Sequence, residues 1–194
     1  MGSLDGKVAL ISGTARGMGR AAAVEFAARG AMVFGCDLDE AGSAETVDLV
    51  TKEGGTMAAL APVNLSSAEG VKAWVEAAVE RFGGVDILYN NASALRNGPL
   101  LELSDDDWHF TIRNELDIVW YSVRAAWPEL VKRGGGSVIN VASIAGKLGA
   151  RFVGQVPLHR RPGRAVARHP REDPARPGRP GGRGSQARGV PRQR

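Results

Sequence analysis

Three glycines, Gly13, Gly17 and Gly19, lie where the apolar run Lys7–Ser12 gives way to the alanine-rich stretch over residues 18–29. A short apolar run that ends in a turn reads as a buried parallel strand. The alanine-rich stretch, stopped by Gly30, reads as a helix. Joining the two through Gly13-x-x-x-Gly17-x-Gly19 asks the backbone to turn sharply and to come close to whatever lies in front of it. Side chains bearing a Cβ obstruct both. The helix beginning near Met18 then points its free N–H groups and the positive end of its dipole at that space, which suits a pyrophosphate. A glycine-rich loop alone says little, but this one follows a strand and opens a helix.

The same alternation continues along the chain. Residues 31–36 are apolar and end at Asp37, and helical patterns follow over 40–53 and after Ser66, where Glu69 suggests a capping box. Residues 57–61 read as a third strand. Val71, Trp74, Val75, Ala78, Val79 and Phe82 recur at helical spacing, and residues 85–89 form a fourth strand leading into Asn90-Asn91-Ala92-Ser93. Ser104, followed by three aspartates, starts a long helix over about 105–132, with Ile112, Leu116, Val119, Val123, Trp127 and Leu130 as its expected buried stripe. Residues 137–142 are the fifth strand, ending before Ser143. Five strands alternating with four helices predict an α/β, Rossmann-type doubly wound parallel sheet of about five strands.

Asp37 lies 18 residues after Gly19, at the end of the second predicted strand. A carboxylate there can accept hydrogen bonds from ribose hydroxyls and repels a 2′-phosphate, which favours NAD over NADP. Arg16 pulls the other way, because a guanidinium can bind that phosphate. Asp37 carries more weight, since it would meet the ribose directly. Its bland alternative is an acid that caps the next helix.

Charge divides the chain. Residues 1–150 carry 13 Lys and Arg against 19 Asp and Glu, whereas residues 151–194 carry 12 Arg, no Lys and only Glu172 and Asp173 as acids. Seven of the ten prolines also fall after residue 150. Two parts are therefore expected: a nucleotide-binding domain over 1–150 and an Arg/Pro/Gly-rich tail over 151–194. The tail has too little apolar surface to offset its ordering entropy, so disorder is its expected state. Arginines without interleaved aromatics attract phosphate without reading sequence, so no specific nucleic-acid partner is expected. No apolar run approaches the roughly 18 residues needed to span a bilayer, and no cationic-then-apolar leader precedes the domain. A cytoplasmic protein follows as the default. The single cysteine, Cys36, reads as a core thiol, and no metal-ligand spacing surrounds it. His109, His159 and His169 have no partner at a meaningful spacing.

The glycine turn, Asn90-Asn91-Ala92 after the fourth strand, Asn114 in the long helix and Ser143 after the fifth strand together resemble the classical short-chain dehydrogenase/reductase family, from about Leu4 to about Pro157. The resemblance implies hydride transfer between NAD(H) and a secondary alcohol or ketone. It implies that Gly13, Arg16, Gly17, Met18, Gly19, Asp37, Asn64, Asn91 and Ala92 bind the cofactor. Asn64 stands where the family usually has an acid facing the adenine, and Ser93 replaces a glycine. Asn114 would hold a water in a proton relay, and Ser143 would hydrogen-bond the substrate oxygen; these two are the expected catalytic residues. Homo-oligomers are usual in the family, through long helices such as 105–132. Taken alone, Asn114 also fits a turn-stabilising amide and Ser143 a simple helix cap.

The family's reaction needs a tyrosine and, four residues later, a lysine beyond the serine. Here the tyrosines are Tyr89 and Tyr121, the last lysine is Lys147, and Leu158 and Pro162 stand where the pair would fall. Two origins fit: a divergent, non-catalytic NAD(H)-binding regulatory module, or a shifted reading frame in a GC-rich gene. Were Leu158 to Arg161 encoded by CTA, CAC, CGC and CGC, reading one base later would give Tyr-Thr-Ala-Ala. The next shifted codon begins with C and cannot encode lysine. Either origin predicts impaired turnover, uncovered apolar surface and low solubility.

Overall fold

The structure is a computed structural model that describes residues 2–144. The expectations placed on the tail 151–194, and on Lys147, Leu158 and Pro162, lie outside the described residues. Five strands, β1 (Val8–Ser12), β2 (Met32–Cys36), β3 (Thr56–Leu60), β4 (Ile87–Asn90) and β5 (Ser137–Asn140), alternate with helices α1 (Gly17–Ala28), α2 (Glu40–Lys52), α3 (Ala68–Phe82), α4 (Asp105–Ile112) and α5 (Ile118–Lys132). All strand pairs are parallel, in the order β3-β2-β1-β4-β5. The chain winds outward from β1 to β3, then crosses back to β4. The gap between β1 and β4 is thus the switch point where α/β sheets bind ligands, outside the carboxyl ends of the strands.

Every residue of β1 is buried, because both faces of the sheet are covered. Val8 and Leu10 point to one side, into a cluster with Phe34, Val71, Trp74, Val75, Leu88, Ile118, Ala126 and Leu130. Ala9 and Ile11 point to the other, with Ala23, Ala27, Val33, Val50, Met57 and Ile87. Period-two alternation on a two-sided sheet explains why the run reads as continuously apolar. Each large side chain removed from water there contributes about 2 kcal/mol.

Two expectations need correction. The cap of α3 is Ser67, whose side chain accepts from Gly70 N, while Ser66 instead donates to Asn64 Oδ1. The long helix is also not continuous. Ser104 caps α4 in a capping box with Asp107, as expected, but a π turn over Arg113–Asp117 separates α4 from α5. The inserted residue shifts the buried face after it, though Leu130 stays buried and Val119 and Val123 still pack against the core. The buried stripe of α5 is Ile118, Ser122, Ala126 and Leu130, while Leu116 and Trp127 of the expected stripe are 63% and 57% exposed. A π turn inside a helix often marks a functional position.

Beneath the sheet's other end, Asp86 fixes the start of β4. Its carboxylate, almost fully buried, accepts from Val8 N at 3.0 Å, Lys7 Nζ at 3.2 Å and Arg133 at 2.8 Å. This ties β1, β4 and the end of α5 together. Among the described residues, no helix is long and apolar enough to cross a membrane.

Candidate functional site

The turn after β1 is shaped by close approach. Gly13 N donates to Cys36 O at 2.8 Å, which leans the turn onto β2. Gly13 has φ +75°, and a Cβ there would come within 2.8 Å of Asn91 Nδ2. A Cβ on Gly19 would overlap the Gly13 carbonyl. Gly17 differs: its φ is +58°, and a Cβ would meet nothing within 4 Å, so the space before α1 is open.

Helix capping makes that space chemically distinct. Asp39, Ser67 and Ser104 cap α2, α3 and α4 through their side chains. The residue before α1, Arg16, gives no side-chain cap, and the first turn of α1 carries no acid. Its first N–H groups therefore retain their hydrogen-bonding capacity and partial positive charge for an external anion. A pyrophosphate fits both the open space at Gly17 and this donor set.

Asp37 is held by its own neighbours. Oδ2 accepts from Ala15 N at 2.9 Å and Oδ1 from Asp39 N at 3.1 Å. The helix cap is Asp39, so the bland reading of Asp37 as a cap falls away. Each oxygen of Asp37 retains a lone pair, enough for two ribose hydroxyls. Behind the turn, Arg20 donates to the Ala15 carbonyl, to Gly42 O at 3.1 Å and to Thr46 Oγ1 at 2.9 Å, and Thr46 in turn donates to Thr14 O at 2.7 Å. Sequence reading missed this brace, whose members are 26 and 32 residues apart.

The cleft in front of these groups has a volume of about 440 Å³. Gly13, Arg16, Met18, Asp37, Asn64, Asn91, Ala92 and Asn114 all line it. Gly17 and Gly19 shape the turn without lining the cleft. Ser143 lies three residues beyond β5, is exposed, and is not among the lining residues.

Several of these residues do more than line a wall. Asn91 N and Ala92 N both donate to Ser12 Oγ, at 2.9 and 3.0 Å, and Asn91 Nδ2 donates to Ser12 O at 3.0 Å. Asn91 is thus first a brace between the ends of β1 and β4. Asn90 does the same for the next pair of strands, donating to Asn140 Oδ1 at 2.8 Å. Asn64 spends its Oδ1 on Ser66 and so offers a ligand its NH₂ group. Asn114 sits on the π turn and donates to Phe110 O at 2.8 Å, so its amide does stabilise the turn as its plainer reading holds.

Cys36 stays out of the chemistry. Burial, reinforced by the neighbouring Asp37 charge, pushes its thiol well above the usual range, which keeps it protonated and unreactive. No described group of His, Cys, Asp and Glu could hold a metal ion. A second groove of about 430 Å³ between α3 and α5 has charged walls, but its Lys72 pairs with Glu76 at 3.7 Å and it lies away from the strand ends.

Residues 7–154 match the model of the short chain dehydrogenase family. A 3-oxoacyl-(acyl-carrier-protein) reductase of Vibrio cholerae is 35% identical over 147 residues, spanning 76% of this chain and 59% of that one. A trans-4-hydroxycyclohexanecarboxylate dehydrogenase of Sinomonas cyclohexanicum is 40% identical over 148 residues, 74% of this chain and 57% of the other. A 7α-hydroxysteroid dehydrogenase solved with NADH and 7-oxo glycochenodeoxycholic acid superposes with a TM-score of 0.72 at 29% identity, over 74% of this chain and 56% of that one. The chain thus covers less than two thirds of the length of the relatives it matches. The matched region contains the glycine turn, Asp37, the asparagines after β4 and the π turn, and through it the chain belongs to the short-chain dehydrogenase family.

Proposed function

We propose that this chain holds NAD(H) across the switch point between β1 and β4, in a domain spanning about residues 1–150, and that the site is built for interconversion of a secondary alcohol and a ketone. One observation carries the reading: the uncapped start of α1 and the doubly anchored Asp37 carboxylate face one cleft. Uncapped N–H groups attract a pyrophosphate, and Asp37 suits unmodified ribose hydroxyls. The NADH bound to the hydroxysteroid dehydrogenase relative supports this choice of cofactor.

When bound, the nicotinamide supplies or accepts the hydride. The chain's own residues position and polarise. The α1 N-terminus binds the phosphates, Asp37 orients the adenosine ribose, and the Ser12–Asn91 brace keeps the β4 loop at the cleft. Asn114 on the π turn and Ser143 beyond β5 are assigned to holding a water and the substrate oxygen. The sequence offers no tyrosine after Ser143, and so no Tyr-x-x-x-Lys pair to move the proton. We therefore assign this chain cofactor binding with impaired turnover. That same absence favours a second reading, a regulatory module that binds NAD(H) without chemistry.

Titrating NADH and NADPH into the purified 194-residue chain, followed by a turnover assay over a panel of alcohols and ketones, tests both. Saturable NADH binding with slow turnover supports the first reading, and binding with none supports the second. No binding of either nucleotide rejects both.

A further inference from the structure

The loop after β4 is fastened to the sheet at its start and, further on, to α4, where Arg96 N donates to Thr111 Oγ1 at 3.1 Å; between these lies a third tie. On the sheet side, Asn91 N and Ala92 N hang on Ser12 Oγ. On the other side, Ser93 Oγ donates to Glu115 Oε1 at 2.5 Å. Glu115 lies on the π turn beside Asn114, 22 residues further along the chain. Ser93 and Ala94 line the cleft, and residues 91–99 have no regular structure of their own. Without the Ser93–Glu115 bond, the cleft-facing stretch of Ser93 and Ala94 would be held only by the Ser12 anchor before it and the Arg96 N–Thr111 Oγ1 bond after it.

We infer that the Ser93–Glu115 hydrogen bond is a latch that pre-organises the cleft, clamping the β4 loop to the π turn so that the wall and Asn114 stand in their binding arrangement before a nucleotide arrives. The inference rests on the reading of this cleft as an NAD(H) site. Ser93 and Glu115 are positioning residues, since they act through the loop and through the turn. A wall that is already ordered spares the nucleotide the entropy of ordering it, so the latch raises affinity without adding a contact. Because the pair is exposed, the bond adds little to global stability. Its effect belongs in the dissociation constant rather than in the melting temperature.

The test is NADH binding to the full chain and to Ser93→Ala, Glu115→Ala and the double variant, with apo melting curves alongside. Each single variant should weaken NADH binding about fivefold, the worth of one ordinary hydrogen bond. The double variant should be no weaker than either single one, because both remove the same bond. Melting temperatures should stay together. Glu115→Ala is decisive, since Glu115 does not line the cleft and a direct-contact role for Ser93 would leave it silent. Ser93→Thr and Glu115→Gln, which keep a donor and an acceptor, should restore most of the affinity. If the unaltered chain fails to bind NADH, the nucleotide reading falls and takes the latch with it. If it binds but Glu115→Ala is unchanged, or the two losses multiply, the latch alone is overturned.

Discussion

Ala15 N donates to Asp37 Oδ2 across 2.9 Å, so the glycine-rich turn and the acid that ends β2 form one hydrogen-bonded unit 22 residues apart in sequence. On the proposed NAD(H) reading, the turn would place the phosphates and the acid the ribose, and the bond sets the distance between them. Replacing Asp37 by Ala should loosen both. NADH affinity should fall roughly tenfold to a hundredfold, the cost of losing hydrogen bonds to a charged acceptor. Fluorescence titration measures it, and NADPH, freed of the repelling carboxylate and still facing Arg16, should lose less.

Gly19 and Gly17 should separate fold from function. A Cβ at Gly19 overlaps the Gly13 carbonyl, so Gly19→Ala should destabilise the domain by about 1–3 kcal/mol in urea. A Cβ at Gly17 touches nothing, and Gly17→Ala should cost only the left-handed backbone, about 1–2 kcal/mol. It nonetheless puts a methyl into the open space before α1, so NADH binding should weaken beyond what the stability loss explains.

Asp86 gives a pH dependence with a defined sign. Burial pushes its carboxyl up, but the hydrogen bond from Arg133, that from Val8 N, that from Lys7 and the Arg133 charge more than reverse this, so it lies below the usual carboxylate range. A depressed folded value means the contribution is complete above the unfolded value, about 3.9, and is lost as pH falls through the folded one. At pH 7, Asp86→Asn should cost about 1–3 kcal/mol. The difference between it and the unaltered chain should shrink steadily below about pH 4, as followed by urea unfolding across that range.

Trp120, Trp127 and Val131 on α5 are exposed, as are Ile139 and Val141 at the sheet end formed by β5 among the described residues. Large apolar patches of this kind drive association. Light scattering of the purified chain should show self-associated species, and Trp120→Glu with Trp127→Glu should shift them towards monomer.

What the sequence shows of this architecture depends on how local each signal is. The strand, turn and helix from Val8 to Ala28 could be read because glycine spacing and an apolar run lie side by side. The stripe of the long helix is legible only in part: Leu130 is buried and Val119 and Val123 pack against the core as the spacing predicts, but a π turn that nothing in Arg113–Asp117 announces turns Leu116 outward and Ile118 inward. The resemblance gives the Asn90–Ser93 stretch two roles, bracing the sheet and lining the cofactor; Asn91 lines the cleft and its hydrogen bonds go to Ser12 and Gly13. The carbonyls it meets belong to a segment 78 and 79 residues away, so only the folded chain shows the pairing. Ser93–Glu115 is hidden for the same reason.

The central claim is that the cleft between the α1 N-terminus and Asp37 selects NAD(H). Parallel titration of the unaltered chain with NADH and NADPH tests it most directly. Saturable NADH binding at least about tenfold tighter than NADPH is expected, the order that follows when a carboxylate replaces water beside a 2′-phosphate. Equal affinities, tighter NADPH binding, or no saturable binding of either would contradict it.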